Sequence, residues 1–444
     1  MSLSIGQQVT AEALQSTLTV KQKLGEGGQG TVYLVEGPHG LYALKWYNAA
    51  QATDEQRQAV HTLVQAGPPR GPAGRRFIWP LSLVIVPNTM LFGYLMPLID
   101  TQRFATLDEV KARLKPRPDY PTLCVISAHI ANSYRALHLA GYCYRDINAG
   151  NLMFDPRTGD VLICDNDNVG INRQSQCQVF GTMEFMAPEI VLGQADPSTD
   201  TDLHSLASLL FHLWFWHHPL HGELEYSIRC WDLTAKRSIY GERPVFIFDP
   251  QDPSNRPPND SDYAGVHRLW QQCSQGLRAL FTRAFTIGLR DPARRITEGE
   301  WQRLFWQLKD GAIPCLACQA QNLWEPGTPS LACWHCAKPI ALPPKLVCHH
   351  PDGTHTTVLL TRDATLLERH LNPASPDDEA AMVCGQVVQN QADPRIFGLR
   401  NLTASPWSAT FANGTMQEVL PQRAVPINLG LQLNIAGVQA EMVA

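Results

Sequence analysis

An α+β fold class, two-lobed and followed by a small cysteine-bearing segment and an all-β sandwich-like tail, is predicted by three features of this 444-residue chain. Strand-like segments dominate from about Leu18 to Leu95, helix-like periodicity takes over beyond Pro121, and short strands between Gly, Asn, Asp and Pro turns fill everything after Lys345. The length exceeds what one ordinary core accommodates. The boundaries read as residues 14–310 for the two-lobed part (lobes about 14–98 and 99–310), 311–344 for the cysteine segment and 345–444 for the β tail.

The front opens with a strand, Val20 to Leu24, a glycine turn, Gly25 to Gly30, and a second strand, Thr31 to Val35. Leu41 to Tyr47 reads as a third strand, Asp54 to Gln65 as a helix, and Phe77 to Val86 and Met90 to Leu95 as further strands. Leu123, Ile126, Ile130 and Leu137 recur on one face of a helix. Asp202 to Trp214 is apolar nearly all round, which predicts a buried helix. Phe248 to Tyr263, rich in Asp, Pro and Asn, reads as a surface loop.

Composition narrows the function classes. Hydrophobic residues at 44% and charged residues at 17% describe globular material. With 36 Lys and Arg against 41 Asp and Glu, the formal net charge of -5 argues against nucleic acid as a partner. The start of the sequence lacks the basic-then-apolar pattern of a secretory signal, and the greasiest stretch, Leu206 to Trp216, is too short to span a bilayer. The expectation is a cytoplasmic protein without a membrane partner. Twelve cysteines without a regular framework fit reduced thiols plus one metal site better than a disulfide scaffold.

Gly25-Glu-Gly27-Gly-Gln-Gly30-Thr-Val32 lies between two strands rather than before a helix, which favours a phosphate-covering flap over a dinucleotide turn. Fifteen residues beyond Gly30, Lys45 stands on an otherwise apolar strand. Tyr144-Arg145-Asp146-Ile-Asn148-Ala-Gly-Asn151 supplies an acid and an amide, and the strand Val161 to Cys164 delivers Asp165. In this order the motifs resemble the eukaryotic-type protein kinase family, over about residues 14 to 310, and specifically its bacterial Hanks-type Ser/Thr members. The resemblance implies a protein-kinase fold binding ATP with Mg2+ or Mn2+. It implies that Gly25, Gly27 and Gly30 shape the lid, that Val32 packs on adenine, and that Pro97 and Ile99 meet the adenine edge. It further implies that Lys45 neutralises phosphates, that Asp146 orients the substrate hydroxyl, and that Asn151 and Asp165 hold the metal. Gly181-Thr182 through Ala187-Pro188-Glu189, Asp202 and Arg295 match further landmarks: the end of an activation segment, the brace of the catalytic loop and the glutamate's partner.

Several positions depart from the family. Tyr144 replaces its histidine and Asn148 its lysine, and Asp165-Asn166-Asp167 stands for Asp-Phe-Gly. Asp167 is either a second metal ligand or a competing alignment for the first, and spacing from Asn151 favours Asp165. The helix that should offer a glutamate to Lys45 has acids only at Asp54 and Glu55, with Gln58, His61 and Gln65 as substitutes. An ATP-binding scaffold that recruits partners through the other modules is therefore the alternative to an active, autophosphorylating kinase. Arg145 beside Asp146 implies control by phosphate on the activation segment, with Ser175 as acceptor and Thr182 positioning substrate.

Cys315-Leu-Ala-Cys318 and, after fourteen intervening residues, Cys333-Trp-His-Cys336 predict a closed four-thiolate Zn2+ ribbon, with His335 as a substitute ligand. Strands are expected at 346–348, 356–361, 382–389, 397–401, 407–411, 417–420, 426–428 and 431–435, and a helical stretch at 366–370. From Gly398 the tail weakly resembles a forkhead-associated domain without its phosphothreonine-reading pairs, which leaves docking or oligomerisation as its expected role. The whole arrangement resembles bacterial stress-response kinases, which implies a Ser/Thr protein substrate, the chain itself included, and a phosphatase or von Willebrand-type partner by analogy.

Overall fold

The structure, a computed structural model, describes residues 2–173, 181–362, 364–372 and 382–444. It comprises two compact units, Met1–Phe305 and Trp306–Ala444. The first begins with six antiparallel strands, β1 (Gln8–Ala11), β2 (Ser16–Gly27), β3 (Gly30–Gly37), β4 (Gly40–Tyr47), β5 (Ser82–Ile85) and β6 (Phe92–Pro97). They close into a barrel in the order β1-β2-β3-β4-β6-β5. Closure comes from β1, which pairs with β2 on one side and β5 on the other; the sequence reading did not anticipate this strand. Alternating side chains explain the closure: Val9, Leu18, Val20, Val35, Leu44 and Leu95 all point into one buried cluster.

Two front elements differ from their sequence reading. β2 continues through the glycines to Gly27, and Gly27 pairs with Gly30, so the turn is only Gly28-Gln29. A Cβ on Gly30 would lie 2.2 Å from the Trp46 carbonyl oxygen, so this position excludes any side chain. Nothing lies within 4 Å of a Cβ at Gly25 or Gly27. The 77–86 region is strand only at β5, preceded by a 3-10 turn at Pro72–Arg76. Helix α1 (Asp54–Ala66) starts where Thr53 accepts from the Gln56 amide, buries Val60 and Leu63, and stops at Gly67 with φ 69°.

The helical half is organised by two long helices. Tyr120–Leu139 begins on Asp119, whose side chain accepts from the Thr122 amide. Thr199–Phe215 begins on a Ser198–Thr201 capping box and, as its apolar run predicts, is buried nearly all round. Asp146 and Asp165 sit on irregular backbone, and Asn151 ends a 3-10 turn, beside the short antiparallel pair Leu152–Phe154 and Val161–Ile163. Phe248 to Tyr263 is loop with two short 3-10 turns.

In the second unit two small hairpins, Ala312–Pro314 with Gln321–Leu323 and Leu331–Ala332 with Pro339–Ile340, present the four cysteines. Behind them a six-stranded and a four-stranded antiparallel sheet enclose Leu346, Leu399, Trp407, Leu433 and Met442. The tail is thus β-rich, as the turn spacing predicts. Leu366–His370 is not one helix: Thr365–Leu367 pairs as a strand and only Glu368–Leu371 makes a helical turn. The last strand, Val438–Val443, was not foreseen, and it pairs between Lys345–His349 and Gln432–Ile435.

Candidate active site

Strand pairing assembles the cationic end of the site. Lys45 on β4 faces Val32 of β3 and Tyr94 of β6 in register, and Tyr47, two residues on, shares its face. The Lys45 ammonium donates to both oxygens of Asp167, at 3.1 and 3.0 Å, and to Gln29 Oε1 at 2.6 Å. It lies 3.5 Å from Asp165 Oδ1. Burial opposes the charge on Lys45, but Asp167 and then Asp165 outweigh it and raise its pKa. The Tyr47 and Tyr94 hydroxyls also donate to Asp167, at 2.5 and 2.9 Å, and burial next to that carboxylate pushes both phenols well up.

Asp165 occupies a left-handed backbone position, φ 49° and ψ 46°, and its side chain is 42% exposed while that of Asp167 is fully enclosed. Burial raises the Asp165 pKa; Lys45 lowers it, and the Asp167 charge raises it again. Asn166, where the family has an aromatic ring, is buried and donates to the Ile163 carbonyl.

The acid end forms around Asp146. Its Oδ1 accepts from the Thr182 amide and hydroxyl, both at 2.9 Å, and from Asn148 Nδ2 at 2.8 Å. Asn151 Nδ2 donates to Asp146 Oδ2 at 3.3 Å and to its backbone oxygen at 3.0 Å, which leaves Asn151 Oδ1 as the atom for a cation. Asn148 Oδ1 in turn accepts from the Gly150 and Asn151 amides, so the residue that replaces a lysine fastens the loop. Below it, Asp202 accepts from the amides of Tyr144 and Arg145, and Tyr144 donates to the Cys164 carbonyl. Arg295 makes a bidentate pair with Glu189 at 2.7 and 2.8 Å.

His138 lies between Asp202, at 3.0 Å, and Glu298. Burial works against its charge, yet the two carboxylates win and raise its pKa from 6.5 to about 9. Because the folded value is the higher one, the stabilisation is complete below about pH 6.5 and is lost as pH rises through about 9, at a scale of roughly 1–3 kcal/mol. Urea midpoints of wild type and His138→Gln are therefore expected to differ most near pH 6 and to converge by about pH 10.

The remaining expected site residues fall as follows. Pro97 ends β6 opposite Tyr42, with Ile99 two residues beyond. Glu55 does not reach Lys45: it is exposed at the start of α1, where its own amide and then the Thr53 hydroxyl lower its pKa. Gln58, His61 and Gln65 make no bond to the lysine either. Ser175 lies outside the described residues. Gln29, Tyr47 and Tyr94 were missed by sequence reasoning. Alternation on β4 could have flagged Tyr47; Tyr94 needed the register.

In the second unit the four cysteine sulfurs lie within 4.8 Å of one another. Cys315–Cys336 and Cys318–Cys333 are 3.7 and 3.6 Å apart, close to the roughly 3.8 Å edge of a zinc–thiolate tetrahedron and far too long for disulfides. In each knuckle the first cysteine carbonyl accepts from the amide four residues on, Gln319 or Ala337, both left-handed. His335 is not in the cluster. Among the described residues no helix is long and apolar enough to cross a membrane.

Comparison with known proteins gives one family. The chain matches the protein kinase domain model over residues 18–273. It is similar to the serine/threonine-protein kinase PkaB of Streptomyces coelicolor, 27% identical over 214 residues, 46% of this chain and 49% of PkaB. It is also similar to the serine/threonine-protein kinase sck2 of Schizosaccharomyces pombe, 27% identical over 208 residues, 43% of this chain and 29% of that kinase. The match thus spans about half or less of these relatives' length. A solved structure of the Mycobacterium tuberculosis PknI kinase domain aligns at 19% identity over 69% of this chain and 98% of that one, with TM-score 0.45.

Proposed function

The chain belongs to the protein kinase domain family, and from that premise we propose that it is an ATP- and magnesium-dependent protein serine/threonine kinase of bacterial Hanks type. The observation that carries the reading is the convergence of Lys45 with Asp165, 3.5 Å apart in space and distant in sequence, above a loop that fixes Asp146 and Asn151. Phosphoryl transfer asks little covalent work of the protein; it needs charge neutralisation and alignment, and these groups supply both.

The residues fit the substrate. Open space beside Gly25 and Gly27 lets the flap's backbone lie against phosphates, with Val32 towards adenine and Pro97 and Ile99 at its polar edge. Lys45 neutralises the α- and β-phosphates. Asp165, partly exposed, and Asn151 through Oδ1 would hold Mg2+, which when bound neutralises phosphate charge. Asp146 accepts or orients the substrate hydroxyl, held in place by Thr182 and Asn148. The scaffold alternative is disfavoured because the lysine, both acids and the amide are all present, with Lys45 beside Asp165, Asn151 bonded to Asp146 and the Asp146 charge acting on Asp165.

The four thiolates suit a structural Zn2+ with no open position. The β tail, which from Gly398 weakly resembles a forkhead-associated domain in sequence, serves as a docking or oligomerisation module. The proposed substrate is a Ser/Thr protein, the chain itself included, with the partner classes and cytoplasmic setting expected from sequence.

The test is incubation of the full chain with γ-labelled ATP and Mg2+, with and without a generic protein acceptor. Label on serine or threonine, lost on chelation by EDTA, is expected. Nucleotide binding with no transfer under Mg2+ or Mn2+ would instead establish the scaffold.

A further inference from the structure

Lys45 has no acidic partner on α1, yet its ammonium is buried and paired with Asp167. Asp167 replaces the expected glycine two residues after Asp165, and its oxygens are counted out completely. Oδ1 accepts from Lys45 and Tyr94, and Oδ2 accepts from Lys45 and Tyr47. A carboxylate offers about four acceptor sites, so none is left for a metal. That separates the two acids: Asp165 is the exposed one, Asp167 the enclosed one. Helix α1 reaches this cluster through a neutral contact, Gln56 Nε2 donating to the Tyr47 hydroxyl at 3.0 Å.

We propose that Asp167 is the positioning residue for Lys45, taking the place of a helix glutamate and fastening the lysine to the Asp165 segment instead of to α1. The inference rests on the nucleotide reading of the cleft and deepens it. A buried ion pair with three donors on one carboxylate has a single low-energy geometry, because any displacement strands a charge. The lysine and the metal-ligand acid, two residues from Asp167, therefore move as one body. Displacing α1 breaks the neutral Gln56–Tyr47 bond and the Val60 packing on Tyr47 and Tyr94 but no charged bond to the lysine, so the wiring predicts that the order around Lys45 depends on Asp167 more than on the helix.

The experiment compares wild type, Glu55→Ala, Asp167→Asn and the double variant Tyr47→Phe/Tyr94→Phe as full chains. It measures kcat and KM for ATP, and the pH dependence of Lys45 acetylation by acetic anhydride, read by peptide mass spectrometry. Glu55→Ala is expected to stay within about twofold of wild type, since that side chain is solvated. Asp167→Asn is expected to lower kcat/KM for ATP about 30- to 300-fold. It should also raise Lys45 acetylation about tenfold, because an ammonium that has lost its two charged bonds to Asp167 no longer stays in its enclosed position. A merely structural role would lower the amount of folded protein without changing the acetylation profile of the folded fraction. Should Asp167→Asn fail to fold, the double variant decides: it keeps the charge, frees the carboxylate of two anchors, and is expected to lose about tenfold in kcat/KM.

Wild-type kinetics and acetylation in whichever variant decides overturn the proposal, as does a Glu55→Ala loss equal to that of Asp167→Asn. If wild type neither binds nor uses ATP, the kinase reading falls, while the acetylation comparison still judges the Lys45–Asp167 pair.

Discussion

Asp146→Ala is expected to reduce phosphoryl transfer about 10^2- to 10^4-fold while leaving ATP affinity within about threefold of wild type. The asymmetry follows from where the side chain sits. Asp146 is held by Thr182, Asn148 and Asn151, whereas Lys45, Gln29 and Asp165 meet at the other end of the cleft. Removing the carboxylate deletes the group that accepts the hydroxyl proton or aligns the attacking oxygen, and leaves the phosphate-facing cation in place. Asp146→Asn keeps the shape and the acceptor for Thr182, so its loss should be as deep if proton acceptance matters and milder if alignment dominates. Single-turnover transfer from labelled ATP, with nucleotide affinity measured by calorimetry, reads both numbers. Transfer by Asp146→Ala within tenfold of wild type would remove Asp146 from the mechanism.

Cys318→Ala/Cys336→Ala is the second change expected to have a large effect, and it acts on the fold. The two hairpins that carry the cysteines have strands of only two or three residues, too little apolar surface to order themselves. In ribbons of this kind metal binding is folding free energy, on the order of 10 kcal/mol. Purified wild type should hold about one zinc per chain and the double variant none. Amide hydrogen exchange over residues 312–340 should lose its protection in the variant. The sandwich, with its own core of Leu346, Trp407 and Met442, should keep most of its protection. A zinc-free wild type, or unchanged exchange after loss of the thiolates, contradicts the assignment.

The legible part of the site was the part written in consecutive residues. Asp146 through Asn151 and the two C-x-x-C knuckles are local motifs whose spacing is set by backbone geometry, whereas the glycine segment is turn only at Gly28-Gln29 because β2 runs on to Gly27. Helix Thr199–Phe215 was legible for a similar reason: an apolar run on all sides has only the interior to occupy. β1 was not, because four residues with two apolar side chains carry little signal until a barrel offers them two edges. The final strand, Val438–Val443, was missed because six residues directly after Gly437 carry little signal without the two neighbours that pair with them. Glu55 was considered because it is acidic and near the right place, but register along α1 turns it to solvent.

Sequence alone determined that a lysine on a strand, an acid–amide loop and a further acid would have to meet, since chemistry of that kind needs those residue types. Which acid pairs with the lysine was decided only by tertiary structure. β4 and β6 bring Tyr47 and Tyr94 onto one face, and their hydroxyls make the buried spot beside Lys45 habitable for Asp167 alone. Desolvation is the reason: a charge can be enclosed only where every acceptor finds a donor, and for Asp167 that count involves residues from three separate stretches of chain.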